Sequence, residues 1–211
     1  MFAKHTKILF QGDSITDGGR GRTEDLNHIL GHGYAYLIAA KLGCEMPELD
    51  LKFINRGCSG NRLVDLYARW QEDALNLTPD FISILIGIND VMSAIKNNFE
   101  GFSEKYERDY RSVIAESMAT LPHVSFILCE PFALPVAGLA ANWKKIKPEI
   151  NKSAKIVKNL ADEFGFFHVQ LQDTFNHACK FQKAEYWLWD GVHPTAAGHG
   201  LIAREWLKAL K

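Results

Sequence analysis

Three side chains in this 211-residue sequence have the chemistry that acyl transfer requires: Ser14, Asp190 and His193. A serine hydroxyl is a weak nucleophile at neutral pH unless an adjacent base removes its proton. His193 could be that base, and Asp190 could hold its imidazole ring in the required tautomer. Gly191 lies between the acid and the base, so a single short loop can present both side chains. The sequence therefore predicts a serine–histidine–aspartate triad.

Acyl transfer also needs hydrogen-bond donors for the negatively charged oxygen of the tetrahedral intermediate. The candidates are the backbone N–H groups of Ser14 and Gly60 and the side-chain amide of Asn89. Each position also has an ordinary structural interpretation, because serine and glycine are common in turns and asparagine often caps a helix. Asp190 could likewise be a cap beside an unrelated histidine. The functional interpretation requires that the fold bring these distant positions together.

The spacing of hydrophobic residues indicates a fold that does so. Five short apolar segments, bounded by glycine or polar residues, are predicted to be buried strands: 7–10, 51–54, 81–86, 124–129 and 166–169. Segments with a helical period alternate with them, which predicts an α/β fold, a parallel sheet between helices, in one domain over residues 1–211. Ligands bind at the carboxyl edge of such a sheet. The loops that carry the candidate residues follow strands one, two, three and five, so they would meet at that edge.

Helix boundaries are predicted from residues that commonly begin or end helices. Ser103 and Thr195 are expected to cap helices at their starts. Gly43 and Gly165 are expected to end the helices 34–42 and 143–164. Asn61 is expected to open one helix with four hydrophobic residues on one face: Leu63, Leu66, Trp70 and Ala74. The apolar segment 132–141 is expected to be a loop that lines an acyl groove, forms a small lid or packs against a neighbouring subunit.

Composition limits the classes of partner. Lys and Arg number 24 and Asp and Glu number 25, so no net charge favours nucleic acid or an anionic membrane. No apolar run approaches the length of a transmembrane helix. The four cysteines are scattered without metal-like spacing, and residues 1–6 are too short and polar for a signal peptide. These features predict a cytoplasmic protein with reduced thiols and no metal.

Two clusters near the predicted site have more than one interpretation. The glycine-rich loop 17–33 is long enough to suggest a functional role or contact with a partner, but its His28 and His32 lack a helix that would align them on a metal. The aromatic residues Tyr186, Trp187 and Trp189 adjoin Asp190 in sequence. They could stack on a sugar, or they could pack beneath the site or at a subunit interface.

Four motifs, in order over nearly the whole chain, resemble those of the SGNH hydrolases, also called GDSL esterases: Gly12-Asp13-Ser14, Gly60, Gly87-Ile88-Asn89-Asp90 and Asp190-Gly191-Val192-His193-Pro194. The one departure is Ile15, where leucine is often found. The resemblance implies a flavodoxin-like three-layer sandwich with a five-stranded parallel sheet of order 2-1-3-4-5. It also implies the triad and oxyanion roles described above.

Three further stretches resemble bacterial acetylxylan esterases of the same superfamily: GDSITDGGR (12–20), ARWQED (68–73) and WDGVHPTAAGH (189–199). This resemblance implies hydrolysis of acetyl esters on a small sugar such as an acetylated xylo-oligosaccharide, without a metal or other cofactor, in a homo-oligomer. The alternative enzyme is a lysophospholipase or thioesterase with the same machinery. A flavodoxin-like module that binds flavin or phosphate is the alternative from another class. It is disfavoured because the loop after strand one lacks a phosphate cradle.

Overall fold

Five parallel strands form one sheet in the order β2-β1-β3-β4-β5. The computed structural model describes residues 2–23 and 25–211. The strands are β1 (Lys7–Gly12), β2 (Lys52–Asn55), β3 (Phe81–Leu85), β4 (Ser125–Cys129) and β5 (Phe167–Val169). Ile8, Leu9 and Phe10 of β1 are fully buried, because β1 lies between β2 and β3 and both faces of the sheet are covered. The predicted α/β fold and strand order are confirmed.

Helices connect the strands. Those in the described part of the chain are α1 (Ser14–Asp17), α2 (Tyr34–Glu45), α3 (Leu63–Ala68), α4 (Trp70–Asp73), α5 (Ile88–Asn97), α6 (Phe102–Thr120), α7 (Ala137–Phe164), α8 (Gln172–Ala178), α9 (Ala184–Trp187) and α10 (Ala196–Ala209). Across the sheet, the chain moves from β1 to β2 toward one edge, and from β2 to β3 it moves back past β1 toward the other edge. Since both crossovers are right-handed in such folds, α2 and α3 cover opposite faces. α10 packs beside α2, and α6 packs between α3 and α7.

Buried tryptophans attach both helical layers to the centre of the molecule. Trp206 of α10 packs against Phe10 of β1, with ring centroids 5.8 Å apart, and its indole N–H donates to Ser83 Oγ at 2.9 Å. Trp70 of α4 donates in the same way to Ser117 Oγ of α6 at 2.9 Å. A buried indole N–H without a partner would be costly, so these two hydrogen bonds let large rings fill the core.

Two of the four residues predicted to begin or end helices, Gly43 and Ser103, do not do so. α2 continues through Gly43 to Glu45, and the Met46 N–H still donates to the carbonyl of Leu42 at 2.9 Å. The helix ends where Pro47 begins, because proline disfavours helical geometry in the residue before it. Ser103 lies inside α6 and does not cap it. The helix begins one residue earlier, at Phe102, whose side chain is buried in the core.

The other two of these four residues, Gly165 and Thr195, agree with prediction. Gly165 ends α7 with φ +70°, in the left-handed region that glycine adopts without a steric penalty. Thr195 begins α10, and its Oγ1 accepts a hydrogen bond from the Gly198 N–H at 3.3 Å. Neither α7 nor α10, nor any other helix within the described residues, has the length and apolar character needed to cross a membrane.

The apolar segment 132–141 is a loop, as predicted, only as far as Val136. Phe132, Leu134 and Val136 are buried, and the Phe132 ring packs on Phe175 with centroids 4.5 Å apart. From Ala137 onward the chain is already helical, so α7 starts six residues earlier than expected. The buried part of the segment therefore belongs to the core, which disfavours its interpretation as the lining of an acyl groove, and packing of the exposed part against a neighbouring subunit stays a prediction.

The single helix predicted from Asn61 is two short helices. Its four hydrophobic residues are all buried as expected, but α3 begins only at Leu63 and α4 only at Trp70. Asn61 is outside both helices. Arg69 separates them, with φ −109° and ψ 11°. From this break the Arg69 side chain donates hydrogen bonds to backbone carbonyls at the carboxyl ends of β1 and β2.

Candidate active site

Ser14 stands at the carboxyl end of β1, immediately after a close approach of two strands. A Cβ atom on Gly12 would lie 2.2 Å from the carbonyl oxygen of Leu85 in β3, so only glycine fits there. Asp13 then caps α1, because its Oδ1 accepts a hydrogen bond from the Ile15 N–H at 2.9 Å. Ser14 is the first residue of α1. Strand end, glycine and cap together set the position of its hydroxyl.

The structure brings Ser14, His193 and Asp190 into contact, although 179 positions separate the serine from the histidine. Ser14 Oγ lies 2.9 Å from His193 Nε2, and His193 Nδ1 lies 2.6 Å from Asp190 Oδ2. A carboxylate can only accept, so Nδ1 carries the proton and Nε2 is free to accept from the serine hydroxyl. This is the order of contacts that the triad prediction requires.

Asp190 is held in its ionised form by the loop around it. Partial burial acts to raise its pKa, but hydrogen bonds from the N–H and the imidazole of His193 and from the N–H of Val192 outweigh that effect. The net result is a pKa below the ordinary aspartate value. No helix begins at Asp190, since the cap of α10 is Thr195. The interpretation of Asp190 as a helix cap is therefore wrong.

The loop that carries Asp190 and His193 is closed on itself and anchored to the core. Leu188 and Pro194 form an antiparallel bridge, and the Trp189 N–H donates to the carbonyl of His193 at 3.1 Å. Gly191 adopts φ +91°, and a Cβ atom there would be 2.5 Å from the carbonyl oxygen of Leu134. These constraints hold the acid and the base in one short turn.

The predicted oxyanion donors lie at the same edge of the sheet. Gly60 is the third residue of a four-residue turn, which is closed by the Asn61 N–H donating to the carbonyl of Cys58 at 3.1 Å. Its φ of +82° belongs to the left-handed region that a type II turn requires at that position. The turn interpretation of Gly60 is thus correct, and it leaves the Gly60 N–H without a partner among the hydrogen bonds of the described residues.

Asn89 is not a helix cap, because the cap of α5 is Gly87 and Asn89 lies within the first turn. Its Nδ2 donates to the carbonyl of Asn61 at 3.0 Å, which joins α5 to the turn that contains Gly60. The same nitrogen lies 3.5 Å from Asp13 Oδ2, beside Ser14. The Asn89 amide therefore links the Gly60 turn to Asp13, the residue before Ser14, and the roles of the three predicted donors stay predictions.

Two buried carboxylates beside the site were not singled out from the sequence. Burial raises the pKa of Asp13 to about 7, although the Ile15 N–H and the charge of His193 act against this. Burial also raises the pKa of Asp90 to about 7, and both of its oxygens accept from the Leu63 N–H, at 3.0 and 3.1 Å. The signal was present, since each aspartate is part of a motif and adjoins a predicted site residue.

A second histidine, His199, is buried near the triad and was also missed. Its Nδ1 accepts a hydrogen bond from the backbone N–H of Tyr34 at 3.1 Å. This contact caps α2, because the N-cap residue Gly33 has no side chain to do so. Burial, together with the charges of His32 and His193, lowers the pKa of His199 to about 4. His199 is the last residue of the motif that begins at Trp189.

We expect His199 to make folding stability depend on pH. Its pKa is about 4 in the folded protein and 6.5 in an ordinary environment. Between these values the unfolded chain binds a proton that the folded protein does not, so acidification favours unfolding. The free energy of unfolding should fall by about 1.4 kcal/mol per pH unit through this interval, and His199 should contribute nothing to the slope above it.

Urea unfolding of the wild type and of His199→Gln from pH 7.5 to pH 4.5 measures this effect. The other titrating groups are common to both proteins, so the difference between the two profiles reports chiefly on His199 and its interactions with His32 and His193. His123→Gln is the control, because His123 is exposed and lies outside the site. Parallel stability profiles for the wild type and His199→Gln would contradict the assignment.

The aromatic cluster is divided between surface and interior. Trp189 is 62% exposed, and its ring lies nearly parallel to the imidazole of His193, with centroids 6.1 Å apart. Trp187 is partly buried and packs edge-on against Tyr186 at 4.9 Å. Trp189 therefore borders the triad, and Trp187 is part of its support.

The histidines of the 17–33 loop have separate contacts among the residues that the structure describes. His28 Nδ1 lies 2.7 Å from Asp25 Oδ2, an exposed pair within the loop, and the His32 ring lies against Gly19. Within residues 2–23 and 25–211, no three acidic, histidine or cysteine side chains are grouped so that they could hold a metal ion. All four cysteines lie in the described residues as free thiols.

Known proteins share both the sequence and the fold of this chain. An acetylxylan esterase from Geobacillus stearothermophilus is 35% identical over 210 residues, which cover 97% of this chain and 93% of that protein. A crystal structure of that organism's acetylxylan esterase Axe2 superposes with a TM-score of 0.86 at 33% identity, over 99% of this chain and 95% of the other. Variants of Axe2 with a serine or an aspartate replaced by alanine have been solved as catalytic mutants.

A protein from Parabacteroides merdae assigned as a GDSL-like lipase is also similar, with a TM-score of 0.93 and 38% identity over 99% of this chain and 97% of that chain. The model of the GDSL-like Lipase/Acylhydrolase family matches residues 10–201, a range that contains every residue described above as a site candidate. This match favours the hydrolase prediction over the ligand-binding module. The chain belongs to the GDSL-like lipase/acylhydrolase family.

Proposed function

We propose that this protein is a serine esterase that removes acetyl groups from small acetylated carbohydrates through an acyl-enzyme on Ser14. The observation that carries the proposal is the continuous contact from Ser14 Oγ through His193 to Asp190 Oδ2. The esterase class follows from membership of the family. The carbohydrate substrate is supported by the acetylxylan esterase that is 35% identical and by the acetyl-xylooligosaccharide esterase with a TM-score of 0.87.

In the proposed acylation step, Ser14 Oγ attacks the carbonyl carbon of the acetyl ester while His193 Nε2 takes the hydroxyl proton. Asp190, already ionised, stabilises the imidazolium that forms. The tetrahedral intermediate then collapses, and the bond from the carbonyl carbon to the sugar oxygen breaks. His193 gives its proton to that oxygen, so the sugar leaves as an alcohol and acetyl-Ser14 remains.

Deacylation repeats the same steps with water as the nucleophile. His193 takes a proton from water, the resulting hydroxide attacks the acetyl carbonyl, and Ser14 leaves with the proton that His193 returns to it. Acetate is the second product. In both steps the carbonyl oxygen becomes negative and would receive hydrogen bonds from the N–H groups of Ser14 and Gly60 and from Asn89 Nδ2. The turn geometry of Gly60 supports this role because it leaves that N–H free.

Two features of the surroundings support a small acyl group on a sugar. The apolar residues 132–136 that could have formed an acyl groove are mostly packed in the core. Trp189, exposed beside His193, offers a flat ring of the kind on which a sugar face can stack. The lysophospholipase or thioesterase alternative would need an apolar channel leading away from Ser14.

Acetyl esters are therefore expected to be better substrates than longer acyl esters. In an acyl groove, each added methylene would contribute about 0.8 kcal/mol, or about fourfold in kcat/KM. In the absence of a groove, the added carbons gain nothing and collide with the walls of the site. We expect kcat/KM to be highest for acetate and to fall by butyrate.

The test compares acetate, butyrate and octanoate esters of 4-nitrophenol, so that the leaving group stays constant. Acetylated xylose and xylobiose are measured beside them, with acetate release as the readout for all substrates. Hydrolysis of the acetylated sugars with the highest kcat/KM would support the proposal. A steady rise from acetate to octanoate would instead assign the protein to lipid chemistry and leave the triad proposal unaffected.

A further inference from the structure

Arg69 lies in the break between α3 and α4, and its guanidinium group is directed to the edge of the sheet where Ser14 stands. The side chain is only 18% exposed. It is not one of the groups that would contact the reacting atoms. Its hydrogen bonds nevertheless connect three segments of the candidate site, which are the end of β1, the end of β2 and the turn that contains Gly60.

The first set of contacts holds the two strand ends. Nη1 donates to the carbonyl oxygen of Arg56, just after β2, at 2.9 Å, and Nη2 donates to the carbonyl oxygen of Gly12, the last residue of β1, at 3.4 Å. Gly12 also accepts from the Cys58 N–H at 3.0 Å. Gly12 is only two residues before Ser14. The guanidinium therefore acts on the backbone from which the nucleophile emerges.

The second set of contacts leads to the oxyanion donors. Arg69 Nε donates to Asn61 Oδ1 at 2.8 Å, and Asn61 closes the turn in which Gly60 has its positive φ. The backbone carbonyl of the same Asn61 accepts from Asn89 Nδ2 at 3.0 Å. A single residue, Asn61, thus links Arg69 to both Gly60 and Asn89.

Buried polar partners fix the guanidinium itself. Gln11 is fully buried, and its Oε1 accepts from Arg69 Nη1 at 3.0 Å, while its Nε2 donates to the backbone carbonyl of Asp73 at 2.6 Å. The carboxylate of Asp73 also accepts from Nη1, at 2.9 Å. Only arginine has enough donors in one rigid plane to reach so many acceptors at once; a lysine ammonium would reach part of the set.

We propose that Arg69 is a positioning residue for the proposed reaction, which holds the Gly60 turn and the Asn89 amide in the geometry that receives the oxyanion. The inference rests on the proposed function, because it assumes that Gly60 and Asn89 are the donors. Pre-oriented donors stabilise the transition state more than the bound substrate. Loss of Arg69 should therefore lower kcat and leave KM nearly unchanged.

We expect Arg69→Lys to lower kcat for an acetyl ester by about 10- to 100-fold, since small misplacements of catalytic groups have effects of this size. Asn61→Ala is the second variant. It removes only the side-chain link to Arg69 and keeps the backbone carbonyl that Asn89 contacts, so it should lower kcat in the same way. Arg111→Lys is the matched control, because Arg111 pairs with two glutamates on α6 and α7, outside the site, and should keep wild-type kcat.

A double-mutant cycle separates positioning from general support of the fold. If Arg69 acts partly through Asn89, Arg69→Lys should lower kcat by a smaller factor when Asn89 is already alanine, because only its effect on the Gly60 turn then remains. Urea midpoints for each variant verify that the proteins compared are folded. Equal fold losses of kcat in the two backgrounds, or a rise in KM with kcat unchanged, would overturn the role of Arg69 while leaving the proposed function in place. Full activity of Asn89→Ala alone would overturn the oxyanion role of Asn89 and, with it, the proposal that Arg69 positions that amide for the reaction.

Discussion

Replacing Ser14 or His193 by alanine is expected to lower kcat for an acetyl ester by about 10⁶-fold, and replacing both should lower it no further. The two side chains act on one proton, which moves across the 2.9 Å between Ser14 Oγ and His193 Nε2. Removing either group abolishes the same step, so the losses cannot add. Steady-state kinetics of purified single and double variants measures the effect.

The assignment of the nucleophile has an independent check. A serine-directed phosphonate should label wild-type protein at Ser14 alone, and peptide mapping identifies the site. Ser112→Ala is the matched control for both experiments, because that hydroxyl is bonded to the Arg108 carbonyl on the surface of α6. Label on Ser59, the other serine at this edge of the sheet, would disprove the assignment.

The acid of the triad should show a smaller loss than the serine or the histidine. Asp190→Asn keeps an oxygen that can accept from the N–H groups of Val192 and His193, so the loop should still fold. It changes the tautomer of the imidazole, which is expected to reduce kcat by about 10⁴-fold. Wild-type activity in this variant would mean that another group orients His193.

Asn89→Ala is expected to lower kcat by about 10²- to 10³-fold, which corresponds to about 2.7–4 kcal/mol of transition-state stabilisation. KM should change little, because the amide donates most strongly to the oxygen when it is negatively charged. The measurement is kcat and KM for an acetyl ester. Asn97→Ala is the matched control, since Asn97 lies at the far end of the same helix and its amide donates to the carbonyl and the hydroxyl of Ser93.

A loss of only a few-fold in Asn89→Ala would assign Asn89 a different role. Its hydrogen bond to the Asn61 carbonyl would then be its main contribution, as a link between α5 and the turn of Gly60. That outcome would also leave the N–H groups of Ser14 and Gly60 as the remaining donors. A lowered urea midpoint in the variant would accompany such a structural role.

Much of the architecture could be predicted from the sequence because it depends on local patterns. A strand such as Ile8-Leu9-Phe10, apolar at every position, is stable only where both of its faces are covered. Repeated strand–helix alternation then leaves few topologies, and short motifs placed after strands must gather at one edge. The positions of Ser14, Gly60, Asn89 and the Asp190 loop at that edge follow from these rules.

Some helix boundaries were determined only by the tertiary structure, because they depend on contacts beyond the local sequence pattern. The break at Arg69 could not be predicted from a face of four hydrophobic residues, because it depends on carbonyl oxygens at the ends of β1 and β2. Ser103 fails as a cap because burial of Phe102 sets the start of α6. Sequence patterns reflect residues that are close along the chain, whereas these two helix boundaries depend on residues that are close only in the folded structure.

The same distinction explains the groups around the site. The histidine and aspartate motifs identified which side chains could react, since that chemistry depends on residue type and order along the chain. The raised pKa values of Asp13 and Asp90 and the lowered pKa of His199 arise from burial. Burial depends on the packing of whole helices and strands, so these pKa shifts are determined only by the folded structure. The candidate chemistry, in contrast, was determined by residue type and order along the chain.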